Sequence, residues 1–161
     1  MAELIDLTNV EAILREYGEE VARNYKDMIV DKGHNASGDL VKSIVTRVVY
    51  DGRAFEVQMD LASYWKYLEE GTKPHWPPRS AILRWIQVKP VIPRPGRDGR
   101  IPTPEQLAFL ISRKIAREGT PATNLLSKTK DAVLPLFRER LAEALGRDLE
   151  NYIRKVVVGS A

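Results

Sequence analysis

The sequence predicts an α+β fold. It is read as a small antiparallel sheet built on one β-hairpin, packed by a long N-terminal helix and by C-terminal helices, with a proline-rich extended arm. Three observations predict it. Asp51-Gly52 separates two strand-like runs, the strongest short-range hairpin signal in the chain. Apolar residues recur at helical spacing near both ends. Five prolines crowd residues 89–104, which forbids a central strand there. At 161 residues the chain is read as a single domain, 1–161, long enough to bury about 68–70% of the surface its unfolded form exposes.

Taken in order, Thr8 is expected to open the first helix, with Glu11 completing a capping box. Val10, Ile13, Leu14, Tyr17, Val21, Met28 and Ile29 then form its apolar face, and Asp31-Lys32-Gly33 ends it. Asn35 to Leu40 reads as a turn into a short helical or extended connector. Strands are expected over residues 43–50 and 53–60, joined by a tight two-residue turn at Asp51-Gly52. Phe55, Val57 and Met59 face one way on the return strand, and Glu56 and Gln58 the other. Ala62–Thr72 reads as a short aromatic helix in which Tyr64, Tyr67 and Leu68 share a face, and Gly71 suits its left-handed terminus. After a proline-rich loop, Ser80–Val88 is expected to bury Ile82, Leu83, Trp85 and Ile86.

The arm at about 89–104 follows, with Arg97-Asp98-Gly99-Arg100 as the turn at its tip. Thr103-Pro104-Glu105-Gln106 carries a cap, a first-turn proline and a capping-box residue, and starts a helix that runs to Gly119. A last helix, from about Asp131 to Val157, is expected to bury Leu134, Phe137, Leu141, Leu145, Leu149, Tyr152 and Val156. Pro135 either lies in its first turn or kinks it.

The chemistry-bearing residue types are sparse. Cysteine is absent and only two histidines occur, so neither a disulfide framework nor a thiolate zinc site is available. His34, Ser37 and Asp39 sit together as turn residues, whereas triad members are defined by spatial roles. His75 lies between Pro74 and Trp76 and reads as a packed or solvent-facing ring. Glu69 and Glu70 are adjacent and diverge on a helix, so they do not form a carboxylate pair. No G-x-G-x-x-G, P-loop or H-E-x-x-H pattern occurs. The expectation is a protein that is not an enzyme and takes no cofactor or metal. The N-terminus lacks a signal-peptide pattern and no apolar run spans a membrane, so a soluble product of the cytosol is expected, with no membrane partner.

Charge is unevenly distributed. Residues 1–31 carry eight acidic and three basic side chains, and residues 73–117 carry ten basic and two acidic ones. Such polarity describes either two differently solvated faces or an acidic face of one copy meeting a basic face of the next. Arg84, Lys89, Arg94, Arg97 and Arg100 are the candidates for contact with a partner or with DNA phosphates. Base stacking would also require exposed aromatics, and Trp76 and Trp85 read as core.

Gly38-Asp39-Leu40-Val41-Lys42-Ser43, then the hairpin, then Ala62–Thr72 resembles a known pattern. It is Gly-x-Leu-x-x-Ser, strand, strand, Ala-x-Tyr-x-x-Tyr-x-Glu-x-Gly-Thr, found in tail-completion or head–tail neck proteins of long-tailed bacteriophages and prophages. Ile111 to Leu126, with Ile115-Ala116-Arg117-Glu118-Gly119-Thr120-Pro121, is similar to the later part of the same family. The long proline-rich stretch from Thr72 to Pro104 departs from its compact pattern. The resemblance implies a virion structural protein at the head–tail junction or in the tail. Its partners would be copies of itself in a ring, neighbouring neck or tail proteins, and DNA touched non-specifically in a channel. The motif residues implied are Gly38, Leu40, Ser43, Tyr64, Trp65, Tyr67, Glu69 and Gly71, with the two glycines allowing bends and the three aromatics seating their helix on the sheet. The alternative reading is a nucleic-acid-binding accessory or regulatory protein that uses the basic arm.

Overall fold

The computed structural model describes residues 5–89, 91–97 and 99–158. Its element order is α1 (Thr8–Asp31), α2 (Asp39–Ser43), β1 (Val45–Tyr50), β2 (Phe55–Asp60), α3 (Trp65–Glu70), α4 (Arg79–Val88), α5 (Pro104–Glu118) and α6 (Leu125–Val158). The expected α+β class is observed: one two-stranded antiparallel hairpin with long helices at both ends. No helix among the described residues is long and apolar enough to cross a membrane. The chain divides into two compact units, each drawn from separate stretches. Unit 1 comprises Met1–Met28, Ser43–Leu61 and Leu125–Ala161, and unit 2 comprises Ile29–Lys42 and Ala62–Asn124.

Unit 1 holds the hydrophobic core. Val10, Ile13 and Val21 of α1 bury against Val133, Phe137 and Ala144 of α6, with Leu7, Leu14, Tyr17, Phe55, Met59, Leu126 and Leu141 packed around them. The Tyr17 and Phe137 rings meet edge-to-face at 5.6 Å, an arrangement that suits the ring quadrupoles. Burial here pushes the Tyr17 phenol up, and Asp131 adds to the effect. A Cβ at Gly18 would lie 2.9 Å from Val57 Cγ1, so glycine is what lets α1 approach the hairpin.

The start of α1 is held differently from the expected capping box. Asp6 accepts from the Thr8 backbone N–H at 3.2 Å and from its hydroxyl. Asp148, buried on α6, accepts from the backbone N–H of Asn9 at 3.3 Å and of Val10 at 2.9 Å. A buried carboxylate thus satisfies the orphan N–H groups of a distant helix start. Glu11 turns outward to Arg15 instead, at 2.8 Å.

The strands are shorter than expected, and the turn is shifted. Tyr50 pairs with Phe55 and Asp51 N–H donates to Ala54 O at 3.3 Å, so the chain reverses at Gly52-Arg53, one residue later than the expected Asp51-Gly52. The cause is the Asp51 carboxylate, which accepts from the backbone N–H of both Arg53 and Ala54 at 2.8 Å. Those bonds, Ala54 first, hold its pKa below the usual carboxylate range. Ser43 belongs to α2 and not to the first strand.

Helix α6 begins at Leu125, ahead of the expected Asp131. Its buried side is Leu125, Thr129, Val133, Phe137, Ala144 and Asp148. Of the expected face, Phe137 is buried and Leu141 and Tyr152 are half-buried, while Leu134, Leu145, Leu149 and Val156 are exposed. Two polar residues on the buried side explain the shift: Thr129 donates its hydroxyl to Leu125 O at 2.8 Å, and Asp148 caps α1. Pro135 lies inside the helix.

Unit 2 contains the shorter helices. Helix α5 starts with the expected capping box between Thr103 and Gln106 and stops at Gly119. Helix α4 buries none of its residues. Ile82, Leu83 and Ile86 are half-buried and Trp85 is 38% exposed, so the expected core face is a partly open one. Between α4 and α5, the described residues from Val91 to Thr103 form neither helix nor strand. The expected turn lies within this stretch: Gly96 N–H donates to Arg100 O at 2.9 Å, and Gly99 N–H to Gly96 O at 3.0 Å. Asp98 of that turn and Pro90 of the arm lie outside the described residues.

Candidate functional site

Two Gly-Thr dipeptides, each ending a helix, organise unit 2. Gly71-Thr72 follows α3 and Gly119-Thr120 follows α5. Thr72 N–H donates to Thr120 O at 3.0 Å and Thr120 N–H returns to Thr72 O at 3.1 Å, an isolated antiparallel bridge. The two hydroxyls meet at 3.0 Å. The glycines are required by the closeness of this crossing. A Cβ at Gly71 would lie 2.3 Å from Thr120 O, and one at Gly119 would lie 2.0 Å from Thr72 O. Both also take positive φ, +72° and +71°, where L side chains are strained. The end of α3 is secured next to this clasp. Leu68 O accepts from Thr123 N–H at 3.2 Å and from its hydroxyl at 2.7 Å, and Glu69 O accepts from Asn124 N–H at 3.1 Å.

The clasp closes one side of an apolar groove of about 1020 Å³, at the upper end of the range for ligand pockets. Leu40 of α2, Tyr64, Tyr67 and Leu68 beside and on α3, Trp85 of α4 and Ile115 of α5 line it. Tyr67 is 65% exposed. Tyr64 is also exposed, and Trp65 is half-buried. None of the three aromatics is therefore core. Tyr64 and Tyr67 wall a groove made within unit 2. Burial, then the Asp39 charge, raises the Tyr64 phenol.

The polar lining of the groove is His34, His75, three threonines, two tyrosines and Lys73, with no carboxylate among the lining residues. His75 Nδ1 lies 2.9 Å from Lys73 O. Lys89 donates to Gly33 O and stands 5.5 Å from the centre of the Trp85 ring, a cation–π contact. Burial, then this same Lys89, lowers the pKa of His34. Lys89, read from sequence as part of the free arm, is thus engaged within its own unit.

Of the remaining basic candidates, Arg94 and Arg100 line a second cleft of about 580 Å³ in unit 2, together with Arg79, Ile101, Glu105 and Phe109. Arg79 donates to Glu105 O at 3.3 Å. The Glu105 carboxyl is held below its usual range by its own backbone N–H, by the Thr103 hydroxyl and by Arg79. Arg94 and Arg97 have no ion-pair partner among the described residues. Trp76 is 57% exposed and packs 6.0 Å from Phe109, so neither Trp76 nor Trp85 is the core residue expected. Arg84 is exposed on α4.

The structure therefore brings together Leu40, Tyr64, Tyr67 and Gly71 at the groove, and Arg94 and Arg100 at the cleft. Gly38, at φ +82°, precedes α2. Ser43 and Trp65 do not line the groove, and Glu69 is buried. Sequence reasoning missed the Thr72–Thr120 pairing. Its available signal was the repeated Gly-Thr dipeptide, each copy ending a helix. Comparisons with models of protein families, with curated proteins and with solved structures each found no match.

Proposed function

We propose that this protein is a structural component of a tailed-phage particle, acting at the head–tail neck or in tail completion through contacts between its own copies and with neighbouring proteins. The motif resemblance motivates the reading, and one observation carries it furthest. The arm between α4 and α5 holds Ile92 at 91% exposure and Ile101 at 66%, together with Arg94 and Arg97, which have no ion-pair partner among the described residues. A proline-stiffened segment that presents apolar and cationic side chains to solvent loses little entropy on docking. The acidic α1 offers a matching surface on the next copy, since Glu19, Asp27 and Asp31 are exposed there. Electron imaging of the purified chain tests this: closed rings are expected, and isolated single copies at every concentration would overturn it.

A second reading is favoured by a specific observation. Arginines beside exposed Trp76 and Phe109 form the pairing of phosphate contacts with stacking platforms that single-stranded nucleic acid uses. Salt-sensitive quenching of Trp76 fluorescence by single-stranded DNA, lost in Arg94→Ala/Arg100→Ala, would support that reading over the first.

A further inference from the structure

The groove of unit 2 is concave and apolar, and Lys73 is the one formally charged side chain among its lining residues. A surface of opposite character lies on α6 of unit 1. Leu145, Leu149, Ile153 and Val156 are all exposed, and their spacing of four, four and three places them in one stripe about 17 Å long. Glu139, Glu143 and Glu150, at spacings of four and seven, form an exposed row beside that stripe. Glu150 holds Arg154 at 3.0 Å, and Arg147 and Arg154 lie on the far side of the row from the leucines. An exposed helical stripe of this size is what an apolar groove accepts, read as anchors at i, i+4, i+8 and i+11.

We propose that the groove of one copy takes the α6 stripe of a second copy. This rests on the assembly reading above and names the surfaces that meet. Tyr64, Tyr67 and Trp85 are the anchoring residues, of the types that concentrate binding energy at interface centres. The glutamate row of α6 faces Lys73. The proline-rich arm of another copy is a poorer occupant, because Arg94, Arg97 and Arg100 would meet Lys73 and no lining carboxylate. Since the two surfaces differ, the contact is head-to-tail: every copy offers one groove and one helix stripe, so contacts propagate until a ring closes.

Mixing two variants tests this directly. Tyr67→Ser removes a groove anchor, and Leu149→Ser removes a stripe anchor. Both side chains are exposed, and unchanged unfolding midpoints verify that each variant folds. By light scattering, each variant alone is expected to remain a single chain, and an equal mixture is expected to stop at two chains, because only one sound groove and one sound stripe can pair. Tyr67→Phe is expected to assemble like the parent chain. If the parent assembles and Tyr67→Ser assembles equally well, this contact is wrong while the assembly reading stands. A mixture that stays monomeric also overturns the contact. A parent chain that never self-associates overturns both.

Discussion

Unit 1 and unit 2 are stabilised in different ways. Unit 1 has a side-chain core, with Val10, Ile13, Val21, Val133, Phe137 and Ala144 meeting between two long helices. Unit 2 is fastened largely by backbone: reciprocal bonds between Thr72 and Thr120, and the carbonyls of Leu68 and Glu69 bound by Thr123 and Asn124, with the Lys89 side chain added on Gly33 O. Its large side chains, Tyr64, Tyr67, Trp76 and Trp85, stay exposed. Where backbone contacts fix a region, its aromatics are released from packing and remain available for contact. The comparison yields a scaffold in one unit and a presenting surface in the other.

The largest expected effect is at the clasp. Gly119→Ala places a Cβ against Thr72 O and strains a left-handed residue, and a loss of about 4 kcal/mol or more is expected in denaturant unfolding. Hydrogen exchange should show the Thr72 and Thr120 amides losing protection. Tolerance of this substitution would break the backbone account of unit 2. Phe137→Ala is next, at about 3 kcal/mol, because it opens a cavity in the core of unit 1. Leu145→Ala, on the exposed side of the same helix, should cost below about 1 kcal/mol, and this contrast tests the face assignment. Asp148→Ala should cost about 2 kcal/mol by leaving the Asn9 and Val10 amides without their acceptor.

The smallest effect is a pH dependence at the hairpin. The folded Asp51 carboxyl has a depressed pKa, so its stabilisation is present above the unfolded value, about 4, and is lost as pH falls through the folded value. Exchange of the Arg53 and Ala54 amides should therefore quicken only in acid. Asp51→Ala should abolish that dependence.

Local signals in the sequence were sufficient for the course of α1, for α5 with its cap and for the presence of the hairpin, because terminal glycines, capping residues and alternation act over a few residues. Thr103 with Gln106 and the stop at Gly119 are examples. The α1 cap and the hairpin turn were not legible in this way. Most of what stayed hidden was non-local. Asp148 caps a helix start on the far side of the sequence, and Thr129 occupies a buried position, so the apolar pattern of α6 pointed to its exposed stripe. The groove was hidden for the same reason. Its motif residues Leu40, Tyr64, Tyr67 and Gly71 were recognisable, but the partners Ile115, Thr120 and Pro121 come from a distant segment. The aromatics were read as core because nothing local reveals that a backbone clasp relieves them of packing.

The central claim is that unit 2 presents a surface met by another copy, and that the arm takes part without supporting the fold. The most direct measurement is molar mass in solution across a salt series, for the parent chain and for Arg94→Ala/Arg97→Ala/Arg100→Ala. The account predicts that the parent forms multimers that dissociate as salt screens the arm, and that the triple variant is a single chain with an unchanged unfolding midpoint. A triple variant that assembles like the parent, or one that unfolds, would contradict it.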